Sequence, residues 1–512
     1  MEASERSATR RLAVIDLGSN SFRLVLFTDE PGSWWRRTDE IYEPVRISAG
    51  MGDSNELQPA PMERALHAIE AYDHFCRASA LAPQDVQAVA TSAIRDASNR
   101  EDFLARASAL SDLPVRVLAR EEEARYGYLA AVNSTTLADG AVLDLGGGSL
   151  QLIAVQNQHA LDLGSWPLGA VRMTERFLPD KKPSKKQLKA LRTHVRETLA
   201  DATWLSTCGD RLVGIGGAVR NLAAALQHRA GLPSLGVQGF MIEREALSSL
   251  VSELADVTPS ERGEIKGIKP ERGDVILAGA AVIEAVLEFG EFEAIETTEA
   301  GLREGIFFEA HLADQDPPVF EDVRDASVRN LAGQYHTDQP HVDHVALLSL
   351  AMFDALARDG VIDSDGGERE LLWAAAMLHD IGMTINYDDH HKHSRYLILN
   401  AELPGFAPRE LALIALLARY HRKGSPSFGD LEALMGDGDE DRLARGAALL
   451  RLAEQLERTR DQLVSEIRVR VDDDRVSLEL IHDGDASVAH QATERQVELF
   501  EQAFGRRLEI LA

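Results

Sequence analysis

The sequence predicts an α/β protein built as two related lobes, followed by an all-helical region and a small α+β cap. Three observations carry that expectation. Two glycine-rich segments, Val14-Ile15-Asp16-Leu17-Gly18-Ser19-Asn20-Ser21 and Val142-Leu143-Asp144-Leu145-Gly146-Gly147-Gly148-Ser149, share an Asp-Leu-Gly core, each at the end of an apolar run. Around each of them the pattern is strand-rich and then helix-rich, so one layout occurs twice. From residue 320 to about 460 the periodicity is almost wholly helical, and the last fifty residues return to strand-like alternation.

Residues 11–30 alternate as two strands, and 59–82 carry helical spacing opened by Pro59 and Pro61. Residues 86–92 read as a buried strand that ends at Ala93-Ile94-Arg95. Helix 99–110, strand 114–119 and helix 121–132 complete the first lobe. A hairpin over 140–156 restarts the pattern. Helix 184–206, strand 211–215 with Gly216-Gly217, helices near 218–229, 243–255 and 273–289, and strand 294–297 then lead to Gly301-Leu302-Arg303-Glu304-Gly305. The proline-broken stretch 313–318 marks a boundary. Strands 466–471 and 476–481 around a turn, helix 490–504 and strand 507–511 form the cap. The expected domains are 1–130, 131–314, 315–462 and 463–512.

The 512 residues are 45% hydrophobic and 27% charged, as in ordinary globular proteins, and contain no apolar run of the ~18 residues that would span a bilayer. No membrane is therefore expected as partner. The N-terminal residues lack the layout of a secretory signal, and Cys76 and Cys208 are too few for a disulfide framework. A cytoplasmic protein is expected. A formal net charge of −29 argues against coating nucleic acid, which needs many clustered cations. An anionic ligand would be met by local clusters such as Lys181-Lys182 with Lys185, Lys186 and Lys189, or Lys266, Lys269 and Arg272, although such runs are mostly solvated helix starts.

In both glycine-rich segments, backbone N–H groups are free to approach an anion without side chains in the way. A carboxylate beside a phosphate is repulsive unless a cation lies between, so Asp16 and Asp144 imply Mg²⁺ (or Mn²⁺), or a positioned water. Ordinary strand-turn segments are the plainer reading of either segment alone. Glu121-Glu122-Glu123 falls in a first helical turn, where acidic residues suit the helix dipole. A sharper role, as base for an attacking water, needs one carboxylate to face the cleft. Arg95, closing its strand, suits a phosphate clamp.

The order Asp16-Leu-Gly-Ser-Asn-Ser, Thr91-Ser-Ala-Ile-Arg95-Asp-Ala-Ser-Asn99, Glu122-Glu123-Ala-Arg, Asp144-Leu-Gly-Gly-Gly-Ser, Gly216-Gly217 and Gly301-Leu-Arg-Glu-Gly resembles the exopolyphosphatase / guanosine pentaphosphate phosphohydrolase (Ppx/GppA) family. Past residue 320 the resemblance continues through Ala376-Met-Leu-His-Asp-Ile-Gly382, His391-Lys-His-Ser394, Leu403-Pro-Gly-Phe406 and Arg419-Tyr-His-Arg-Lys423, as in the long, four-domain form. It implies two actin/sugar-kinase-like (ribonuclease H-like) lobes, an HD-like helical domain, a homodimer, and a site between the lobes. Glu123 matches the catalytic Glu and Asp144 a metal- or water-binding Asp. Gly18, Ser19, Asn20, Gly146, Gly147, Gly148, Ser149, Gly216 and Gly217 match phosphate-binding loops, and Arg95 a phosphate-contacting Arg. The chain departs from the family at Ala119-Arg120 (usually Ser-Gly), at Gln151 (usually Glu) and at Ala218 (usually Thr).

His344 with the pair His379-Asp380 has the layout of HD-type metal phosphohydrolases, with Glu454 at the place of the usual late Asp. Long members of the family often lack a full ligand set, so a structural domain is expected and a second metal site is the alternative. The segments His391-Lys-His-Ser394 and Arg419-Tyr-His-Arg-Lys423 are expected to pack toward the cleft. The expected activity is Mg²⁺-dependent release of orthophosphate from inorganic polyphosphate, with guanosine pentaphosphate as the alternative substrate. A weak catalyst that senses either anion is a further alternative, as is an ATP-dependent small-molecule kinase.

Overall fold

The structure, a computed structural model, describes residues 9–179, 182–363 and 366–511; Lys181 of the first basic cluster lies outside them. The chain divides into two compact units, Met1–Val323 and Arg324–Ala512.

The first unit holds two sheets. In one, β1 (Arg10–Leu17), β2 (Phe22–Glu30) and β3 (Trp34–Glu43) form an antiparallel meander, and β4 (Val86–Ala90) and β5 (Val115–Val117) add in parallel on the β1 side, giving the order β3-β2-β1-β4-β5. The other sheet repeats that plan. There β6 (Gly140–Leu145), β7 (Leu150–Gln156) and β8 (His159–Trp166) form the meander, β9 (Leu212–Ile215) pairs in parallel with β6, and β10 (Met241–Glu243) and β11 (Ala294–Thr297) extend the sheet to the order β10-β11-β9-β6-β7-β8. Parallel neighbours need crossovers, and the helices that supply them cover the apolar sheet faces. Helix Ile276–Phe289, apolar nearly all round, is consequently buried along most of its length.

β3 and β8 are edge strands that the sequence reading omits. β3 is charged, and β8 turns Leu161 and Leu163 outward, so neither shows an alternation with one face in a core. Residues 92–95, read as the end of a strand, form a helical turn, and the expected helix 184–206 ends at Thr198.

In the second unit, helices Gln339–Arg358, Gly367–Leu378, His390–Leu399, Pro408–Tyr420 and Asp439–Leu456 pack together around a core that includes Val345, Ala375, Ile414 and Leu449. A three-stranded sheet follows, with β12 (Val464–Val471) antiparallel to β13 (Arg475–His482) and β14 (Arg507–Leu511) parallel to β13. The single helix expected over 490–504 is two, Ser487–Glu494 and Val497–Phe504. Among the described residues no helix is long and apolar enough to cross a membrane.

Candidate active site

Asp16 and Asp144 occupy the same position in the two lobes, the penultimate residue of β1 and of β6, each followed by a tight turn into the next strand. The two turns and the helix start at Glu123 line one cavity of about 160 Å³. Of the expected site residues, Asp16, Gly18, Ser19, Asn20, Glu123, Asp144, Gly146, Gly147, Gly216 and Gly217 line it. Gly148 lines a second cavity of about 690 Å³, which shares Ser19, Gly147 and Val171 with the first.

The turns are built for close approach. Ser19 Oγ lies 3.0 Å from Ser92 Oγ, and a Cβ on Gly148 would stand 2.7 Å from that same Ser92 oxygen. The turn carbonyls are tied outward: Ser48 N–H donates to Ser19 O (3.2 Å), Ala170 N–H to Gly146 O (3.0 Å) and Val171 N–H to Gly147 O (2.9 Å). Among the described residues, the N–H groups of Ser19, Asn20, Gly147 and Gly148 donate to no backbone carbonyl. Such a pair of backbone concavities suits an anion.

The acidic triplet divides by role. Glu121 is exposed, and Glu122 caps its own helix, accepting from Ala119 N–H at 2.8 Å and pairing with Arg116. Glu123 is buried and accepts from Arg95 Nη1 at 2.6 Å. Arg95, expected on a phosphate, thus stands against Glu123 and outside the cavity lining, also donating to Leu118 O at 3.2 Å. Burial raises the Glu123 carboxyl above its usual range, with Arg95 pulling it back. Asp144 is pushed up to about 7, by burial first and then by the negative charges of Glu123 and Asp16. Burial likewise raises Asp16, against the pull of Arg303, whose Nη1 is 3.4 Å from Oδ2; among the described residues Oδ1 of Asp16 has no hydrogen-bond partner.

Four arginines oppose these carboxylates: Arg23, Arg220, Arg272 and Arg303, of which the sequence offered only Arg272 to an anion. Burial lowers Arg220 to about 10, and its Nη1 donates to Glu299 O at 2.7 Å. Arg272 belongs to the second basic cluster, whose Lys266 and Lys269 are exposed and outside the lining. Gly217 is what lets Arg272 in, since a Cβ there would sit 2.3 Å from the guanidinium carbon. Arg303 falls in the Gly301–Gly305 motif, a signal that could have found it.

Gln151 pairs with Asp144 across β6 and β7, is buried, and donates from Nε2 to Ser149 Oγ at 2.9 Å. Ser149, expected on phosphate, is engaged there and does not line the cavity. A neutral side chain at 151 keeps a fourth carboxylate away from Asp16, Glu123 and Asp144.

In the helical unit, His379, Asp380 and Glu454 converge as the sequence suggests, but His341 takes the place expected for His344. His344 lies one turn further along the same helix and turns to the sheet, with Nε2 2.9 Å from Val464 O. His390 and His421 join the cluster, and these two and His391 are buried within the unit itself.

The model of the Ppx/GppA phosphatase family matches residues 38–313, and that of the Ppx/GppA phosphatase, domain III, matches 323–499. Among solved structures, a Ppx/GppA family member from Aquifex aeolicus is 27% identical, the match covering 60% of this chain and 99% of that one with a TM-score of 0.52. An exopolyphosphatase-like protein is 26% identical over 58% of this chain and 96% of its own, with a TM-score of 0.53. An exopolyphosphatase from Cytophaga hutchinsonii, 22% identical over 59% of this chain and 98% of its own with a TM-score of 0.54, is alike in fold. These likenesses agree with the expected actin-like α/β architecture.

Proposed function

The chain belongs to the Ppx/GppA phosphatase family, and from that premise we propose that it is an exopolyphosphatase, releasing orthophosphate from the end of inorganic polyphosphate. The pair of adjoining cavities carries the polymer reading. The inner one, between the two glycine turns, suits a terminal phosphate. The outer one, lined by Arg172 and Arg176, suits the phosphates behind it. Among the described residues, neither lining includes an aromatic ring on which a guanine base would stack.

The donor set fits Mg²⁺ or Mn²⁺. Asp16 and Asp144 offer only oxygen, one Asp16 oxygen is unpartnered, and the carboxylates destabilise one another while no cation separates them. When bound by Asp16 and Asp144, the ion would shield the phosphate charge from these carboxylates. The remaining work falls to the chain. The free N–H groups of Ser19, Asn20, Gly147 and Gly148 hold the non-bridging oxygens, and Arg23, Arg220, Arg272 and Arg303 offset charge that spreads over them in the transition state. Glu123 accepts a proton from water as the water oxygen bonds to the terminal phosphorus. The bond from that phosphorus to the bridging oxygen breaks, and the shortened chain keeps that oxygen. A carboxyl raised by burial is a better base near neutrality than an ordinary Glu.

The test is phosphate release from long-chain polyphosphate and from guanosine pentaphosphate, each with Mg²⁺ or with chelator, for wild type and Glu123→Gln. Release from polyphosphate that needs both Mg²⁺ and Glu123, with the higher kcat/KM for the polymer, is expected. A higher kcat/KM for guanosine pentaphosphate would reassign the substrate. No release from either, with binding retained, would make the protein a sensor.

A further inference from the structure

We propose that the helical unit holds a two-ion centre for divalent transition metals, with Asp380 bridging one ion bound by His341, His379 and Glu454 and another bound by His390 and His421. These residues come from five different helices or their immediate ends, and each is at least nine-tenths buried. Six side chains of metal-ligating type at one buried point need a reason.

Three of the four imidazoles are oriented by backbone partners. Nδ1 of His379 is 2.6 Å from Ala376 O, that of His421 is 2.7 Å from Ala418 O, and that of His390 is 2.8 Å from Tyr387 O. A carbonyl only accepts, so each Nδ1 carries the hydrogen, and in the neutral imidazole each Nε2 then presents a lone pair inward. Arg422 Nη1 stands 3.4 Å from the His390 Nδ1, a longer contact than the carbonyl makes. His390 Nε2 and His421 Nε2 then face each other at 3.0 Å. At that separation either a proton or a metal ion lies between the two nitrogens, and a metal ion serves both lone pairs at once.

The other separations are those of donor atoms around a shared ion. Glu454 Oε2 is 3.2 Å from His341 Nε2 and 3.3 Å from His379 Nε2. Asp380 Oδ1 is 3.6 Å from His379 Nε2 and 3.3 Å from His390 Nε2, and Oδ2 is 3.8 Å from His341 Nε2. Ligand bonds of about 2.0–2.2 Å place neighbouring donors roughly 3–3.5 Å apart at tetrahedral to octahedral angles. Close as they are, Glu454 Oε2, His379 Nε2 and His341 Nε2 are in hydrogen-bond geometry with nothing, which is how atoms aimed at a common third point stand.

Arg460 Nη2 donates to Asp380 Oδ2 at 2.6 Å. A carboxylate oxygen has two acceptor positions, so this contact fixes the Asp380 plane and leaves the inward positions for metal. Four imidazole nitrogens with two carboxylates select Mn, Fe, Co, Ni or Zn over Mg²⁺ or Ca²⁺, which prefer oxygen throughout.

The full chain, produced in cells supplied with Mn, Fe, Co, Ni and Zn salts and washed with excess Mg²⁺, should retain two transition-metal ions per chain by mass-spectrometric metal analysis. Asp16→Asn, in the other unit, should leave that number unchanged, and His390→Ala combined with His421→Ala should lose one ion. Because removal of two buried imidazoles could prevent folding, a Co²⁺ titration of metal-stripped wild type is the companion measurement, with visible d–d absorption saturating at two equivalents. Retention of fewer than two ions by wild type, absence of the Co²⁺ bands with wild-type circular dichroism, or loss of an ion in Asp16→Asn would overturn the assignment.

Discussion

Arg95 donates from Nη1 to Oε2 of Glu123 at 2.6 Å, so the residue expected to grip phosphate instead holds the residue expected to activate water. The pair fixes one carboxylate oxygen and leaves the other for a water. Glu123→Gln keeps that shape and removes the base. It should lower kcat by roughly 10²–10⁴, the range of general-base catalysis, with little change in KM for polyphosphate. Steady-state kinetics check this; a KM change with kcat intact would mean that Glu123 binds and does not activate.

The same contact predicts a pH effect. Burial raises Glu123 and Arg95 pulls it down, so the acid limb of kcat/KM falls where Glu123 takes up its proton. Removing the guanidinium in Arg95→Ala withdraws the lowering influence, and the limb should move to higher pH. A pH–rate profile of the two proteins decides it; a merely structural Arg95 would lower the rate at all pH values alike.

Asp144 gives a stability prediction with a definite sign. Its carboxyl is raised to about 7 in the folded chain against an ordinary 3.8. Between those values the folded state binds the proton more than the unfolded state does, so this group's contribution, complete at low pH, is lost as pH rises toward 7. The loss is on the order of a few kcal/mol with no cation present. Asp144→Asn should therefore raise Tm at pH 8 in chelator while abolishing turnover, and Mg²⁺ should raise Tm for wild type more than for the variant. Calorimetry at pH 5 and pH 8 measures both.

Gln151 faces the same charge problem. Gln151→Glu would bury a further carboxylate in register with Asp144 and lose the amide donated to Ser149 Oγ. In chelator it should cost roughly 1–3 kcal/mol of stability. Added Mg²⁺ should recover most of that loss and saturate the enzyme at lower concentration than for wild type. A Tm that responds to Mg²⁺ no more than that of wild type would show that position 151 is outside the metal's reach.

What was legible in the sequence was what is local. The two Asp-Leu-Gly turns could be read because strand, carboxylate and glycine run lie within eight residues, and the buried strands β1, β6 and β9 because an apolar run marks them. Of the cleft arginines only Arg272 stood out, as part of a basic cluster, because Arg23, Arg220 and Arg303 come from distant segments and share no spacing with it. His341 and His344 are three apart on one helix and equally plausible as ligands. Only the docking of β12 beside the helix draws His344 to Val464 O and leaves His341 facing Glu454.

Gly217 and Arg272 show how a glycine can act through a neighbour. The Gly217 backbone sits below the guanidinium, and a Cβ would fall 2.3 Å from both Cζ and Nη2 of Arg272. Gly217 has no positive φ and opens the helix Gly217–Arg229, so alanine fits its backbone and the strain falls on the end of a flexible side chain. Gly217→Ala should fold with near-wild-type Tm and push Arg272 out of the cleft. A half-buried cation that meets phosphate is worth about 1.5–3 kcal/mol when lost, so kcat/KM for polyphosphate should fall roughly 10- to 100-fold. Arg272→Ala should cause a fall of the same size, and the double variant no more than either single one, since both remove a single contact. Additive losses in that cycle would mean that the Gly217 backbone meets the substrate directly and that Arg272 acts independently of it.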